Sequence, residues 1–314
     1  MGIGRNIRRI VRAGRTYEFA WRYLYNLGPT LSYRLSRARL SPEAGRVLLD
    51  LNLHGVAITS AGRLLGVNSC YEELSAAVVK AECDLSEDIE SARTASTIQR
   101  NVGAKKFIVP LLGDIPVLDL NSVYARFALQ QQVLDVANAY LGMYARLRYF
   151  NVWHTLATDG DAQESQLWHR DREDLYILKA FVYLSDVFSS SGPFTYAQGT
   201  HLKGEVREEP PFFVEGGVRR TNDSQMAQAV PPQNWVEGTG PKGTIIFADT
   251  AGFHKGGLAR KNDRILYTCM FTSPASESKE FFQRSELSRN WANPGLAYAL
   301  APPRSGPWIR LRPS

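Results

Sequence analysis

The sequence predicts a mainly β core with flanking helices, and three observations lead to that fold class. Up to about residue 142, apolar residues recur mostly at three- and four-residue steps, the period of a helix with one buried face. From about residue 144 the chain changes to short aromatic and β-branched runs separated by Gly, Pro and Asp turns, which is the rhythm of strands. A length of 314 residues is enough to bury a sizeable core. These place a basic amphipathic arm at 1–40 and a single domain at 41–314, with its core at about 144–273 and an insertion at 204–240.

The arm comes first. Residues 5–26 carry Ile7, Ile10, Val11, Tyr17, Trp21, Leu24 and Tyr25 on one helical stripe, with Arg5, Arg8, Arg9, Arg12, Arg15 and Arg22 largely off it. Gly28-Pro29 is read as the end of that helix. Residues 1–40 hold nine arginines, no lysine and one acid, Glu18, a charge of +8 that leaves −2 for the rest of a chain whose net charge is +6. The basic character therefore belongs to the arm and says little about the main domain. The favoured reading is a helix whose apolar face covers the domain while its arginines stay in water. Peripheral contact of 5–26 with an anionic membrane surface stays open beside it. No nucleic-acid partner is expected.

Ser41-Pro42-Glu43 starts a helix with Pro at its first position, running through Val47, Leu48, Leu49 and Leu51. His54 to Ile58 reads as a turn and a short strand. Residues 69–103 are helical in tendency with a solvated charged face, and 106–110 form a short strand. Residues 121–142 read as one helix, with Val123, Phe127, Val133, Val136, Tyr140 and Leu141 inward and Gly142 closing it. Strands are expected next at 144–156, 165–171, 175–187, 193–198, 243–248 and 264–272. The segment from Gly204 to Gly240, with Pro210-Pro211, Gly216-Gly217 and Pro231-Pro232, is too long for an ordinary connection and reads as a lid or a disordered insertion.

Several classes are excluded by composition. A hydrophobic fraction of 44% and a charged fraction of 22% are ordinary for a soluble globular protein. No run of about 18 apolar residues is present, so no transmembrane helix is expected. Arginine interrupts the N-terminus too often for a secretory signal, and Asn6 argues against myristoylation after Met-Gly. Cys70, Cys83 and Cys269 lack metal-type pair spacing and are odd in number. A reduced, cytoplasmic protein is expected, peripheral at a membrane if the arm docks there.

The chemistry centres on Gln166-Leu167-Trp168-His169-Arg170-Asp171. Side chains two apart on a strand point to one face, so His169 and Asp171 would look into one interior together. His254, far along the chain, would come from another strand. Two histidines and one carboxylate on one face of a metal, with the remaining positions open, suit a non-haem Fe(II) oxygenase. A His-x-Asp pair alone is a weak signal. It gains weight from the residues downstream of it, in order: an apolar strand, Gly192-Pro193, Gly199-Thr200-His201, the strand Gly243 to Phe247, His254, and Arg264 ten residues beyond.

In that order these residues resemble the phytanoyl-CoA dioxygenase-like family of Fe(II)/2-oxoglutarate oxygenases, well over about 144–273 and loosely over 44–60. The resemblance implies a double-stranded β-helix (a jelly roll, cupin-like) with N-terminal helical segments. It implies His169, Asp171 and His254 as iron ligands and Arg264 as the grip on the distal carboxylate of 2-oxoglutarate. A guanidinium forks two hydrogen bonds onto a carboxylate and stays charged at working pH. Arg260 competes for that role, but it sits in a loop whereas Arg264 begins an apolar strand. Phe181 and Gln166 are candidate lining residues of the co-substrate pocket, with plain core as the alternative for Phe181. His201 is read as structural, and His154 as a core histidine that could also face the pocket. The implied cofactors are Fe(II), 2-oxoglutarate and O2. Because family members that halogenate replace the carboxylate, Asp171 implies hydroxylation or a related oxidation, with release of succinate and CO2. The substrate would be a small-molecule, lipid-like or carrier-linked compound, with Arg207, Arg219 and Arg220 hinting at an anionic group. A jelly-roll protein that only binds a ligand, and a lipid- or glycolipid-modifying oxygenase at a membrane surface, are the alternatives.

Overall fold

A computed structural model describes residues 17–36, 39–67, 69–98, 107–211, 213, 219–285 and 293–302. Its centre is an antiparallel sheet of six strands in the order β1 (Val56–Ser60), β8 (Thr244–Asp249), β5 (Leu178–Tyr183), β10 (Arg264–Thr272), β4 (Arg146–Thr155) and β2 (Ile108–Pro110). A second antiparallel sheet has the order β7 (Trp235–Glu237), β6 (Thr195–Ala197), β9 (His254–Lys255). Val117–Leu118 (β3) and Gln283–Arg284 (β11) form a two-stranded parallel ladder.

Strand alternation decides which side chains go where. Leu178, Ala180 and Val182 of β5, Ile245 and Phe247 of β8, and Tyr267, Cys269 and Phe271 of β10 join one large apolar core with the helices. The opposite row of the same strands, with Tyr183, Ile246, Ala248 and Leu266, packs with Phe194 and with Tyr196 of β6. The large sheet is therefore covered by helices on one face and by the small sheet on the other. The polar residues lying between the two sheets are the ones that form the site.

The helical layer is specified locally. The helix Pro42–His54 is capped by Ser41, whose Oγ accepts from Ala44 N at 3.2 Å. It ends at Gly55, in the left-handed region at φ 80°, where a Cβ would also strike the Tyr196 hydroxyl. The helices Cys70–Asp84, Ser86–Ile98, Val123–Ala128 and Gln131–Leu141 come after it. The single helix expected over 121–142 is two, because the backbone turns extended at Gln130. Of the helical stretch expected over 69–103, residues 99–103 lie outside the described residues.

The arm also departs from expectation. Residues 5–16 of the expected helix lie outside the described residues. A helical turn at Glu18–Ala20 continues as a π-helical segment Trp21–Tyr25, and a separate helix runs Leu27–Ser36. Gly28-Pro29 therefore does not end a helix but lies in the first turn of the next one, where the missing Pro N–H costs nothing. The break falls at Asn26, whose side chain donates to Trp21 O at 2.9 Å. Trp21 is buried and donates Nε1–H to Asp174 at 2.7 Å, while Arg22 donates to Leu141 O at 2.9 Å.

The described part of the 204–240 insertion is ordered structure with a small core of its own. The helix Asp223–Ala229 has a capping box between Asn222 and Gln225, and Met226, Val230 and Phe213 pack with Trp168 and Phe253. Gly216-Gly217 lie outside the described residues.

Candidate metal centre

The stretch 165–171 is not a continuous strand. It begins as a 3-10 turn at Glu164–Gln166 and then makes isolated bridges, Trp168 with Thr221 and His169 with His254. The alternation nevertheless survives, because these bridges keep the backbone extended. Trp168 and Arg170 turn towards the insertion, where Trp168 donates Nε1–H to Asp223 at 2.7 Å and the Arg170 guanidinium lies 3.9 Å from the Phe253 ring centre. His169 and Asp171 turn the other way. His169 N donates to His254 O at 2.9 Å, and His254 N donates back to His169 O at 3.0 Å. This reciprocal pair locks the two histidines side by side, and Asp171 N donates to Thr250 O at 2.9 Å.

The result is a group of three ligand atoms, one each from His169, Asp171 and His254, all within 4.8 Å of one another, which could hold a metal ion. The histidines are prepared for it. His169 donates Nδ1–H to Leu167 O at 2.8 Å and His254 donates Nδ1–H to Gly252 O at 3.0 Å. Backbone carbonyls thus fix the tautomer and leave each Nε2 lone pair free for a metal. Burial, with the neighbouring His254, lowers the His169 pKa, and burial likewise lowers that of His254, so both imidazoles stay neutral. Burial works to raise the Asp171 carboxyl, but the Lys179 ammonium and the two histidines together hold it below the usual carboxylate range. Lys179 Nζ lies 2.6 Å from Asp171 Oδ2, the same oxygen that stands 3.8 Å from His254 Nε2. Lys179 does not stand out in the sequence. Its signal is there, since it shares the inward row of β5 with Phe181.

Beside the triad is a cavity of about 360 Å³ between the sheets, lined by His169, His254, Lys179, Phe181, Phe194, Thr155, Thr268 and Arg264 among others. Arg264 is buried at the start of β10. Its Nη1 donates to the carbonyls of Gly192 and Gly256, its Nε has no hydrogen-bond partner, and its charge faces no acid among the described residues. Burial accordingly lowers its pKa. Opposite it in the ladder is Thr155, whose hydroxyl has no partner among the described residues, and further along β10 the Thr268 hydroxyl likewise has none among them. A buried cation with no acid among the described residues and an unsatisfied hydroxyl opposite it in the ladder suits an anion that forks onto a guanidinium. Gly192 serves this arrangement through its backbone. It has φ 63°, and a Cβ there would lie 2.5 Å from Ala259 N, so a side chain would push away the loop whose carbonyl orients Arg264.

The structure thus gathers His169, His254, Arg264 and Phe181 around one cavity, with Asp171 grouped beside the two histidines and lining a larger cavity. Phe181 stacks near Phe194, with ring centres 4.5 Å apart. Gln166 is not among the residues lining it. Its Oε1 accepts from Gln163 N at 2.9 Å and closes the capping box of the preceding turn. Arg260 is exposed and bonds the Thr158 and Gly160 carbonyls. His201 lies elsewhere, its Nε2 3.1 Å from Asn52 O, and burial pushes its pKa down to about 4. His154 is not a lining residue. It lies between Asp263 at 2.8 Å and Glu82 at 3.0 Å.

A second cavity, of about 850 Å³, is lined by His169 and Asp171 and shares His169 and Glu173 with the first. Its walls include Asp171, Arg172, Arg219 and Arg220, the loop 275–278, and Trp21 from the N-terminal segment. Arg220 pairs with Glu164 at 3.0 Å, so the insertion contributes to this wall, while Arg207 bonds the Val206 and Leu202 carbonyls instead.

No family model matches the chain, and no curated protein matches it. Among solved structures, EctD from S. alaskensis with 2-oxoglutarate and 5-hydroxyectoine aligns at 16% identity, covering 82% of this chain and 85% of that one, with a TM-score of 0.51. EctD from the same source with bound Fe aligns at 17% identity over 80% and 85%, with a TM-score of 0.50. The epimerase SnoN in complex with Fe3+, alpha ketoglutarate and nogalamycin RO matches more weakly, at 16% identity over 76% and 87% with a TM-score of 0.46. At these identities the EctD matches establish a shared fold: helices packed on paired antiparallel sheets, here enclosing a group of two histidines and one carboxylate.

Proposed function

We propose that the chain is an Fe(II)/2-oxoglutarate-dependent dioxygenase of the phytanoyl-CoA dioxygenase-like kind, hydroxylating a small-molecule, lipid-like or carrier-linked substrate. The facing sheets are read as the double-stranded β-helix of that family. The observation that carries the proposal is that Arg264, a buried cation with no acidic partner among the described residues, lines the same small cavity as His169 and His254 of the three-residue group. A metal site alone would not need that cation, whereas a chelating dicarboxylate would. That EctD, which shares the fold, has been crystallised with Fe and with 2-oxoglutarate supports the same pair here.

Each residue of the site has its own part. His169, Asp171 and His254 would hold iron on one face. Arg264 and Thr155 would bind and orient the far carboxylate of 2-oxoglutarate, Thr268 would line the same cavity, and Phe181 and Phe194 would exclude water from it. Together the bound metal and co-substrate supply the activation of dioxygen, with release of succinate and CO2. Asp171 occupies the position a halide would need, which favours oxygen insertion over halogenation. The larger cavity, meeting the smaller at His169, is where the oxidised substrate would lie, and its volume suits a metabolite or lipid portion.

The test is anaerobic addition of Fe(II) and then 2-oxoglutarate, monitoring the weak visible charge-transfer absorption. Wild-type protein should develop the band, and His169→Ala and Asp171→Ala should not. If those variants matched wild type, the metal assignment would be wrong. If no protein gave a band and none stabilised on ligand addition, the chain would be a binding protein on this fold.

A further inference from the structure

We infer that residues 17–35 form a docking surface for an anionic phospholipid bilayer, a property separate from the proposed chemistry. The segment has two apolar faces where an ordinary surface helix has one. The inner face carries Trp21, Pro29 and Thr30, all buried against the body, with Tyr33 edge-on to Tyr144 at 5.5 Å. On the outer side, Gly28, Leu31 and Leu35 fall on one stripe of the helix Leu27–Ser36, and Leu24 is exposed in the π-helical segment before the break at Asn26. Leu24 is 54%, Leu31 46% and Leu35 80% exposed, and Phe19 and Tyr17, just upstream, are 71% and 70% exposed. Five large apolar side chains exposed within 19 residues are a local density that single scattered surface residues do not give.

The charge of the surrounding sequence selects the occupant. Residues 17–35 carry Arg22 and Arg34 against Glu18, and seven more arginines and no acid flank them within residues 1–40, while the rest of the chain is slightly acidic overall. A second copy of this chain would bring the same positive charge to the contact. An anionic lipid surface would neutralise it while accepting the leucine and aromatic side chains into the headgroup and acyl boundary. The same stretch of chain turns Trp21 inward to the wall of the larger cavity, so the docking surface and a wall of that cavity are contributed by neighbouring parts of the arm.

The experiment is co-sedimentation of the full chain with phosphatidylcholine vesicles, with and without phosphatidylglycerol. Wild type should bind the anionic vesicles at least about tenfold more tightly than the neutral ones, with affinity falling as salt rises. Leu24→Asn, Leu31→Asn and Leu35→Asn combined should reduce that binding at least about tenfold without lowering the melting temperature, because these positions are already solvated. Replacing Arg5, Arg8, Arg9 and Arg12 by Gln should weaken binding to anionic vesicles only. Equal binding by the triple variant, or no binding by wild type, would overturn the inference. So would a dimer in light scattering that the triple variant dissociates while vesicle binding is absent.

Discussion

At the scale of the residue, Arg264 and Lys179 make the cavity chemically specific, and they do so differently. Arg264 is a buried charge held, among the described residues, by carbonyls alone, so in the absence of ligand it costs stability. Arg264→Met and Thr155→Val are therefore expected to leave the melting temperature of the ligand-free protein unchanged or raise it. Both should weaken 2-oxoglutarate, Arg264→Met by about 2–4 kcal/mol as a lost charge-assisted fork. Calorimetric titration and a thermal melt on each variant separate the two effects, and a fall in ligand-free stability would show that Arg264 serves the fold. Lys179 lies on Asp171 Oδ2, the oxygen that also stands 3.8 Å from His254 Nε2, so it would compete with a cation held there by the triad. Because an ammonium and a divalent ion compete for one oxygen, Lys179→Met should gain more thermal stability from added Co(II) than wild type does. An equal gain in both would mean the lysine is displaced without cost.

The triad and Arg264 are legible in the sequence because their spacing survives any detail of the strand. Lys179 is legible too, through strand alternation, but a lone Lys in an apolar run draws no attention until its partner is known. Gln166 illustrates the opposite failure. Its place three before His169 suggests a pocket residue, yet the chain is still in a 3-10 turn there, which sends the side chain back to its own backbone.

At the scale of the element, the long strands and the capped helix are readable because period and caps both speak for them. β3, β7, β9 and β11 are two or three residues long, too short for any period to show. The split of 121–142 has no Gly or Pro to announce it, since the two halves are directed by different packing partners. His154 is a product of this level. On β4 it is paired opposite Ile265, and it joins β4 to Asp263 and to Glu82 of the helix Cys70–Asp84. Burial would lower its pKa, but the two carboxylates raise it from 6.5 to about 9. A raised folded pKa means that protonation favours the folded state. The contribution is complete below pH 6.5, declines as pH rises between 6.5 and about 9, and is gone above that. Denaturant melts across this range should show stability falling in wild type and a flatter profile in His154→Gln. An unchanged slope would mean that the ion-paired histidine contributes nothing to the pH dependence.

At the scale of the whole molecule, the N-terminal segment is tied into the body by more than apolar contact. Trp21 is 1% exposed, its ring centre lies 5.2 Å from that of Tyr176, and its Nε1–H satisfies the half-buried Asp174. Asp174 also accepts from Ser273 N at 2.7 Å, so one side chain links the arm, the loop after the metal ligands and the end of β10. Trp21→Ala should therefore cost about 3–5 kcal/mol, the range for truncating a large buried aromatic. It should also loosen the wall of the larger cavity, seen as faster proteolysis within 172–176 and 273–278. A loss below about 1 kcal/mol, less than the cost of even a modest core truncation, would mean that the segment merely rests on the domain. The size of this effect governs how the arm can be studied. Deleting residues 1–40 would remove the lipid-facing leucines, the arginines and the Trp21 anchor together, so a loss of vesicle binding could not be told from a loss of fold. Point changes on the outer stripe keep Trp21 in place and separate the two.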